Sequence, residues 1–183
     1  GDRAVFAGHG GCDQSVQVEV VGKREFAGYW EYLLDDAIFT SPSHPFWGGG
    51  ALIGLDGTLR GIGSLFVQDP GGNSSESQGN MFVPIDLLPP IYQELVDTGR
   101  AQKNAKPWLG MQTTEALGHL VVSGVHDGGP ADKADIQVGD IIEEIETKSV
   151  ESLPDMYRKI WAAGGAGADV SISVTRGSRQ IDI

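Results

Sequence analysis

Nucleophilic catalysis needs a hydroxyl or thiol within hydrogen-bond reach of a base, with a third group to orient that base. In this chain Ser41, Ser43 and His44 stand close enough in sequence to raise that chemistry, with Asp35 and Asp36 a few residues upstream. Adjacency supplies none of the required geometry, and Pro42 and Pro45 predict an exposed, rigid turn around the histidine. Paired carboxylates can divide into an acid and a base when their charges crowd. Neighbours on a strand point to opposite faces, however, so Asp35 and Asp36 are expected as one buried and one solvated group. Glu143, Glu144 and Glu146 read as an acidic, solvated strand edge, and neither group has the spacing of a calcium loop. The single Cys12 has no internal disulfide partner and no metal-ligand spacing, so it is assigned a packing role. These residues imply no cofactor and no metal.

The elements that must position such groups are short strands. The chain has 183 residues with 27 glycines, 40% hydrophobic and 21% charged residues, enough for two small cores joined by many turns. A formal net charge of -12 repels phosphate backbones and anionic membrane surfaces, which excludes nucleic acid as a partner. No apolar run reaches the ~20 residues that cross a bilayer; the chain reads as soluble, and Gly1-Asp2-Arg3 does not read as a signal peptide. Strands are expected over Ser15–Val21, Ala51–Leu55, Leu59–Val67 and Met81–Ile85, with Asp56-Gly57 as a hairpin turn. Gly71–Gly79 is a polar loop. Leu88, Ile91, Tyr92 and Leu95 follow helical spacing, with Asp86 as N-cap and Gly99 as terminator. The polar stretch 101–106 is the linker, dividing residues 1–100 from 107–183. Beyond it, Leu120–Val125, Ile141–Ile145 and Val170–Thr175 read as strands, Pro130–Ala134 as a short helix and Asp155–Ala163 as a longer one. Phe26 with Tyr29-Trp30-Glu31-Tyr32 forms an aromatic cluster that either lines a cleft or fills a barrel, core being the default.

Pro107-Trp108-Leu109-Gly110-Met111 resembles the carboxylate-binding loop of PDZ domains attached to bacterial HtrA-type (Deg-like) proteases. Val122-Ser123-Gly124-Val125, Gly129-Pro130-Ala131-Asp132-Lys133-Ala134 and Val138-Gly139-Asp140-Ile141-Ile142 resemble that family's strand, short helix, turn and strand. The resemblance implies capture of peptide or unfolded-protein C-termini. Its physical basis is main chain: glycine at 110 lets successive N–H groups converge on an anion. Trp108, Leu109, Gly110 and Met111 would form the loop. A peptide would add a strand beside the one starting near Met111, its side chains meeting Met156, Tyr157 and Ile160. Those helix residues read equally well as core.

The first half resembles the second β-barrel of the trypsin-like protease domain in the same group. Asp36-Ala37-Ile38, then Gly48-Gly49-Gly50-Ala51-Leu52 and Asp56-Gly57, look like the nucleophile loop and its hairpin. Phe82-Val83-Pro84-Ile85-Asp86 looks like the closing strand. The family's loop reads glycine, asparagine, serine, glycine, glycine; here it reads Phe46-Trp47-Gly48-Gly49-Gly50. Gly48 thus takes the nucleophile position without a hydroxyl, and Phe46 the oxyanion-loop backbone. Nothing resembles the first barrel, which carries the family's histidine and aspartate; His9 reads as a loop residue. The expected architecture is mainly β, a trypsin-like second barrel followed by a small α+β PDZ domain. Two functional readings stay open: a peptide-binding, catalytically inactive protease homologue, or a fragment or serine-substituted form of an active HtrA-type endopeptidase. The resemblance further implies a periplasmic or envelope setting and homo-oligomer contacts through an amino-terminal segment not present.

Overall fold

Alternation of apolar and polar residues is what a half-buried strand requires, and the first part of the chain supplies it. The computed structural model describes residues 1–72, 77–101 and 105–183. The centres of the expected polar loop and linker, 73–76 and 102–104, lie outside the described residues. The chain forms two compact units: residues 1–25 with 34–100, and residues 26–33 with 101–183.

The strands of the first unit are β1 (Arg3–Ala7), β2 (Ser15–Gly28), β3 (Tyr32–Ser41), β4 (Ala51–Gly54), β5 (Leu59–Gln68) and β6 (Gln78–Pro84). They close into a barrel in the order β1-β2-β3-β6-β5-β4, which removes free sheet edges. Phe6, Val18, Ile38, Leu52 and Phe82 fill its interior. At the β4–β5 turn Gly57 takes a left-handed φ of +79°, and Asp56 Oδ1 accepts from both the N–H and the hydroxyl of Thr58. Helix α1 spans Pro89–Thr98. It starts later than expected, and Asp86 lies in a 3-10 turn instead of at the cap. Prolines at the first helical positions explain the shift, because they suit a turn whose N–H groups have no intrahelical acceptor. Gly99 ends the helix as expected, its N–H bonded to the Leu95 carbonyl.

The second unit has β7 (Met111–Ala116), β8 (His119–Val125), β9 (Ile141–Ile145), β10 (Lys148–Ser149), β11 (Ile172–Arg176) and β12 (Arg179–Asp182), with α2 (Pro130–Lys133) and α3 (Leu153–Ala163). The sheet order is β12-β11-β9-β8-β7, with β10 paired to β9. Ser152 caps α3 by accepting from the Asp155 N–H, the placement that satisfies one orphan donor of a helix start. The face Leu153, Met156, Tyr157 and Ile160 then packs with Met111, Val122, Ile145 and Val174 as one core. The fold is therefore mainly β, a closed barrel and a small α+β unit, and no helix among the described residues is long and apolar enough to cross a membrane.

Two local expectations fail. Asp35 and Asp36 are both exposed, because alternation along β3 breaks at this pair and the strand is buried on both faces from Ala37 to Thr40. Glu143 and Glu144 do not form an edge: β9 is flanked by β8 and β11, and both residues are half-buried. Glu146 is exposed, and its carboxylate accepts the Ser171 N–H.

Candidate functional site

Pro107–Met111 leads into β7 through one left-handed residue, Gly110, at φ +73°. The Leu109 carbonyl accepts from the Ala131 N–H at 2.8 Å and the Gly110 carbonyl from the His126 N–H at 2.8 Å. With both carbonyls held against the domain, the N–H groups on the other side of the loop face one point. Such a concave row of amides is an anion site. It holds a carboxylate, and the carboxylate belongs to the chain. Glu31 Oε1 accepts from Leu109, Gly110 and Met111 N–H at 3.1, 2.7 and 3.2 Å, while Oε2 accepts from Leu109 N–H at 3.0 Å. The loop amides, expected to receive a peptide's chain end, are thus engaged within the chain. Leu109 and Met111 are buried in the core, whereas Trp108 is 55% exposed with its ring edge-on to His126.

Met156 and Ile160, the expected side-chain contacts on the helix, are wholly buried, as is Tyr157. Tyr157 does reach the tip of the β2–β3 hairpin. Its hydroxyl donates to the Gly28 carbonyl at 2.7 Å and accepts from the Glu31 N–H at 3.0 Å. Burial pushes its phenol up to about 12, the Glu31 charge adding in the same direction against the Glu31 N–H bond. The hydroxyl therefore keeps its proton, and its role as donor, throughout the neutral range. The aromatic cluster does not belong to the barrel core: Tyr29 is 51% and Trp30 39% exposed. Trp30 stacks on Tyr32 and covers Gly28, where an added Cβ would lie 2.8 Å from its ring. Trp30, Trp108, Gly110 and His126 line a cleft of about 410 Å³ beside the loop. Glu31 was legible only as part of an aromatic cluster. The one signal for it was an acidic residue between aromatics at a turn, and that carries no hint of a partner 79 residues away.

The turn between β3 and β4, where the nucleophile position is expected, carries Gly48, which is exposed, with nothing within 4 Å of an added Cβ. Its shape is set by backbone: Gly49 N–H to the Gly63 carbonyl at 2.9 Å, and Gly63 N–H to the Gly50 carbonyl at 2.7 Å. Phe46 N–H, expected at the oxyanion position, donates instead to His44 Nδ1 at 3.1 Å. His44 is 7% exposed, not on an exposed turn as expected. Its N–H donates to Asn80 Oδ1 at 2.7 Å, and its ring packs edge-on against Phe6 at 4.8 Å. Ser41 Oγ bonds the Gln78 carbonyl. No bond joins Ser41 or Ser43 to His44 among the described contacts, and the histidine's Nδ1 is taken by its own loop. His9 sits on an exposed turn as expected, and exposed Cys12 has no packing role. Among the described residues no cluster of histidine, cysteine, aspartate and glutamate has the arrangement of a metal site.

Residues 107–183 match the PDZ domain family. The chain is 26% identical over 147 residues to a probable periplasmic serine protease do/HhoA-like of Haemophilus influenzae, covering 74% of this chain and 30% of that protein. It is 27% identical over 148 residues to the periplasmic pH-dependent serine endoprotease DegQ of Escherichia coli, covering 74% and 31%. It thus spans about a third of the length of these relatives. Among solved structures, the HtrA-type protease AlgW with decapeptide aligns over 100% of this chain and 58% of that chain, with a TM-score of 0.55 at 21% identity. A serine endoprotease from Yersinia pestis aligns over 100% and 60%, with a TM-score of 0.51 at 21% identity. With the loop, the barrel and the second sheet in this order, the chain is a homologue of the DegP/HtrA serine proteases and carries their PDZ domain.

Proposed function

We propose that this chain captures peptide or unfolded-protein C-termini through residues 108–111, in the periplasm, and that its barrel performs no acyl transfer. The observation that carries the first part is the convergence of three consecutive amides, Leu109 to Met111, on a single carboxylate. Charge-assisted bonds of this kind are about twice as strong as neutral ones, and a chain end offers the same two oxygens. The periplasmic setting draws on the names of the relatives.

Carboxylate capture makes a direct prediction for fluorescence polarisation of one apolar peptide with a free or an amidated C-terminus. The free acid should bind at least about tenfold tighter, since amidation removes the charge and one acceptor. Equal affinities would sink the reading.

Support for the second part is the glycine at 48 together with the commitment of Phe46 N–H to His44, which leaves neither an attacking hydroxyl nor a full pair of oxyanion donors. The competing reading, an active endopeptidase with glycine standing for serine, has one observation on its side: a side chain at 48 meets open space. The Gly48→Ser variant of the full-length product separates them. It should remain unlabelled by a fluorophosphonate probe and leave an unfolded substrate intact. Labelling at residue 48 with cleavage would establish the competing reading.

A further inference from the structure

Given that residues 108–111 capture carboxylates, a reading on which this step rests, we infer that the β2–β3 hairpin tip is an internal ligand of the groove, with the Glu31 side chain standing in for a chain end. The tip supplies two of the contacts that a bound peptide would make, a carboxylate on the loop and a main-chain bond to the adjoining strand. Its carboxylate engages the Leu109, Gly110 and Met111 amides, so an arriving carboxylate finds these donors taken. Two residues earlier, the Tyr29 carbonyl accepts the Thr113 N–H at 2.9 Å. That is the main-chain bond a peptide makes when it adds to a strand, and it falls on β7, the end strand of the sheet. Ala27 and Leu33 of the same tip pack against the apolar core of the domain.

The backbone of the tip shows what this occupancy requires. Glu31 has φ +59°, a left-handed conformation that a residue with a Cβ adopts only where its surroundings fix it. The Tyr157 hydroxyl supplies that fixing by bridging the Gly28 carbonyl and the Glu31 N–H. The turn lets the carboxylate enter the loop while the main chain continues away as β3. A peptide ending in a main-chain carboxylate needs no such turn. Entry of a peptide therefore requires departure of the tip, and the apparent dissociation constant is the intrinsic one divided by the fraction of molecules with an open groove.

The test uses the full chain, a fluorescent apolar decapeptide as free acid or amide, and the Glu31→Gln and Glu31→Ala variants. Glu31→Ala should bind the free acid at least about tenfold more tightly than the native chain, with Glu31→Gln between them, because its amide oxygen still accepts without charge. In parallel, the Gly110 amide proton should move upfield in Glu31→Ala and return downfield when peptide is added. If affinities match the native chain while amidation still weakens binding, the internal ligand is wrong and carboxylate capture stands. If no variant distinguishes free acid from amide, capture fails and the competition fails with it. A Gly110 resonance unchanged by Glu31→Ala overturns the inference whatever the peptide does.

Discussion

Alanine at position 110 is expected to weaken binding of a free-acid peptide by at least about tenfold and to destabilise the PDZ domain by about 1–2 kcal/mol. Gly110 sits at φ +73°, and a Cβ built there lies 3.1 Å from the Trp108 ring and 3.5 Å from His126 Cβ. If the residue stays left-handed, it bears the strain of that conformation and pushes the indole aside. If it relaxes to a right-handed conformation, the Gly110 carbonyl leaves His126 N–H and the row of amides no longer faces one point. Either route removes what an anion recognises. Because Gly110→Ala also loosens Glu31, the measurement belongs in the Glu31→Ala background, where fluorescence polarisation reads the loop alone. Native affinity there, with unchanged urea unfolding, would mean that a carboxylate does not need the left-handed residue.

Removing the Asp140 side chain should have the largest effect on stability. Its carboxylate is 1% exposed and accepts from Arg176 Nε at 2.7 Å and Nη2 at 2.8 Å, with the Gln137 N–H at 2.9 Å closing its shell. Asp140→Ala leaves the Arg176 guanidinium with Asp135 as its remaining partner and strips the Gln137 N–H of its acceptor, a loss of about 2 kcal/mol. Hydrogen bonding to Arg176 holds the Asp140 carboxyl below the usual range, outweighing burial, and the Gln137 N–H adds to the effect. A depressed folded value means that the stabilisation is present above the unfolded pKa, near ~4, and is lost as pH falls through the lower folded value. Urea unfolding from pH 7 to pH 2 should therefore show a native chain that loses stability on the acid limb and an Asp140→Asn variant whose curve there is flatter. Parallel curves would assign the acid limb to other carboxylates.

Much of the architecture was legible because it is written in local periodicity. The strands at Leu59, Met81 and Ile141, the Asp56-Gly57 turn and the helix through Met156 all follow from residue type at a spacing of two or of three and four. The sequence pattern predicts that strand β2 ends at Val21, but it runs to Gly28, since Gly22, Lys23 and Arg24 break the apolar alternation while the extended backbone continues. The site was legible in half. A glycine between Leu109 and Met111 identified the loop by its own conformation, a local property. Its occupant was not legible, because Glu31 gains its meaning from amides 78 to 80 residues away. The same holds for Asp140, which reads as a turn residue until Arg176, 36 residues on, is folded beside it. His44 misled for a related reason: flanking prolines suggest exposure, but Phe6 and Asn80 bury it from distant strands.

Gly63 carries a consequence for the barrel. A methyl group there would stand 2.0 Å from the Trp47 carbonyl oxygen, so the bend at Gly48 is moulded by the neighbouring strand β5. The contour of that turn therefore depends on a residue outside it: position 48 has room for a side chain, while the rung beneath the turn admits only a hydrogen.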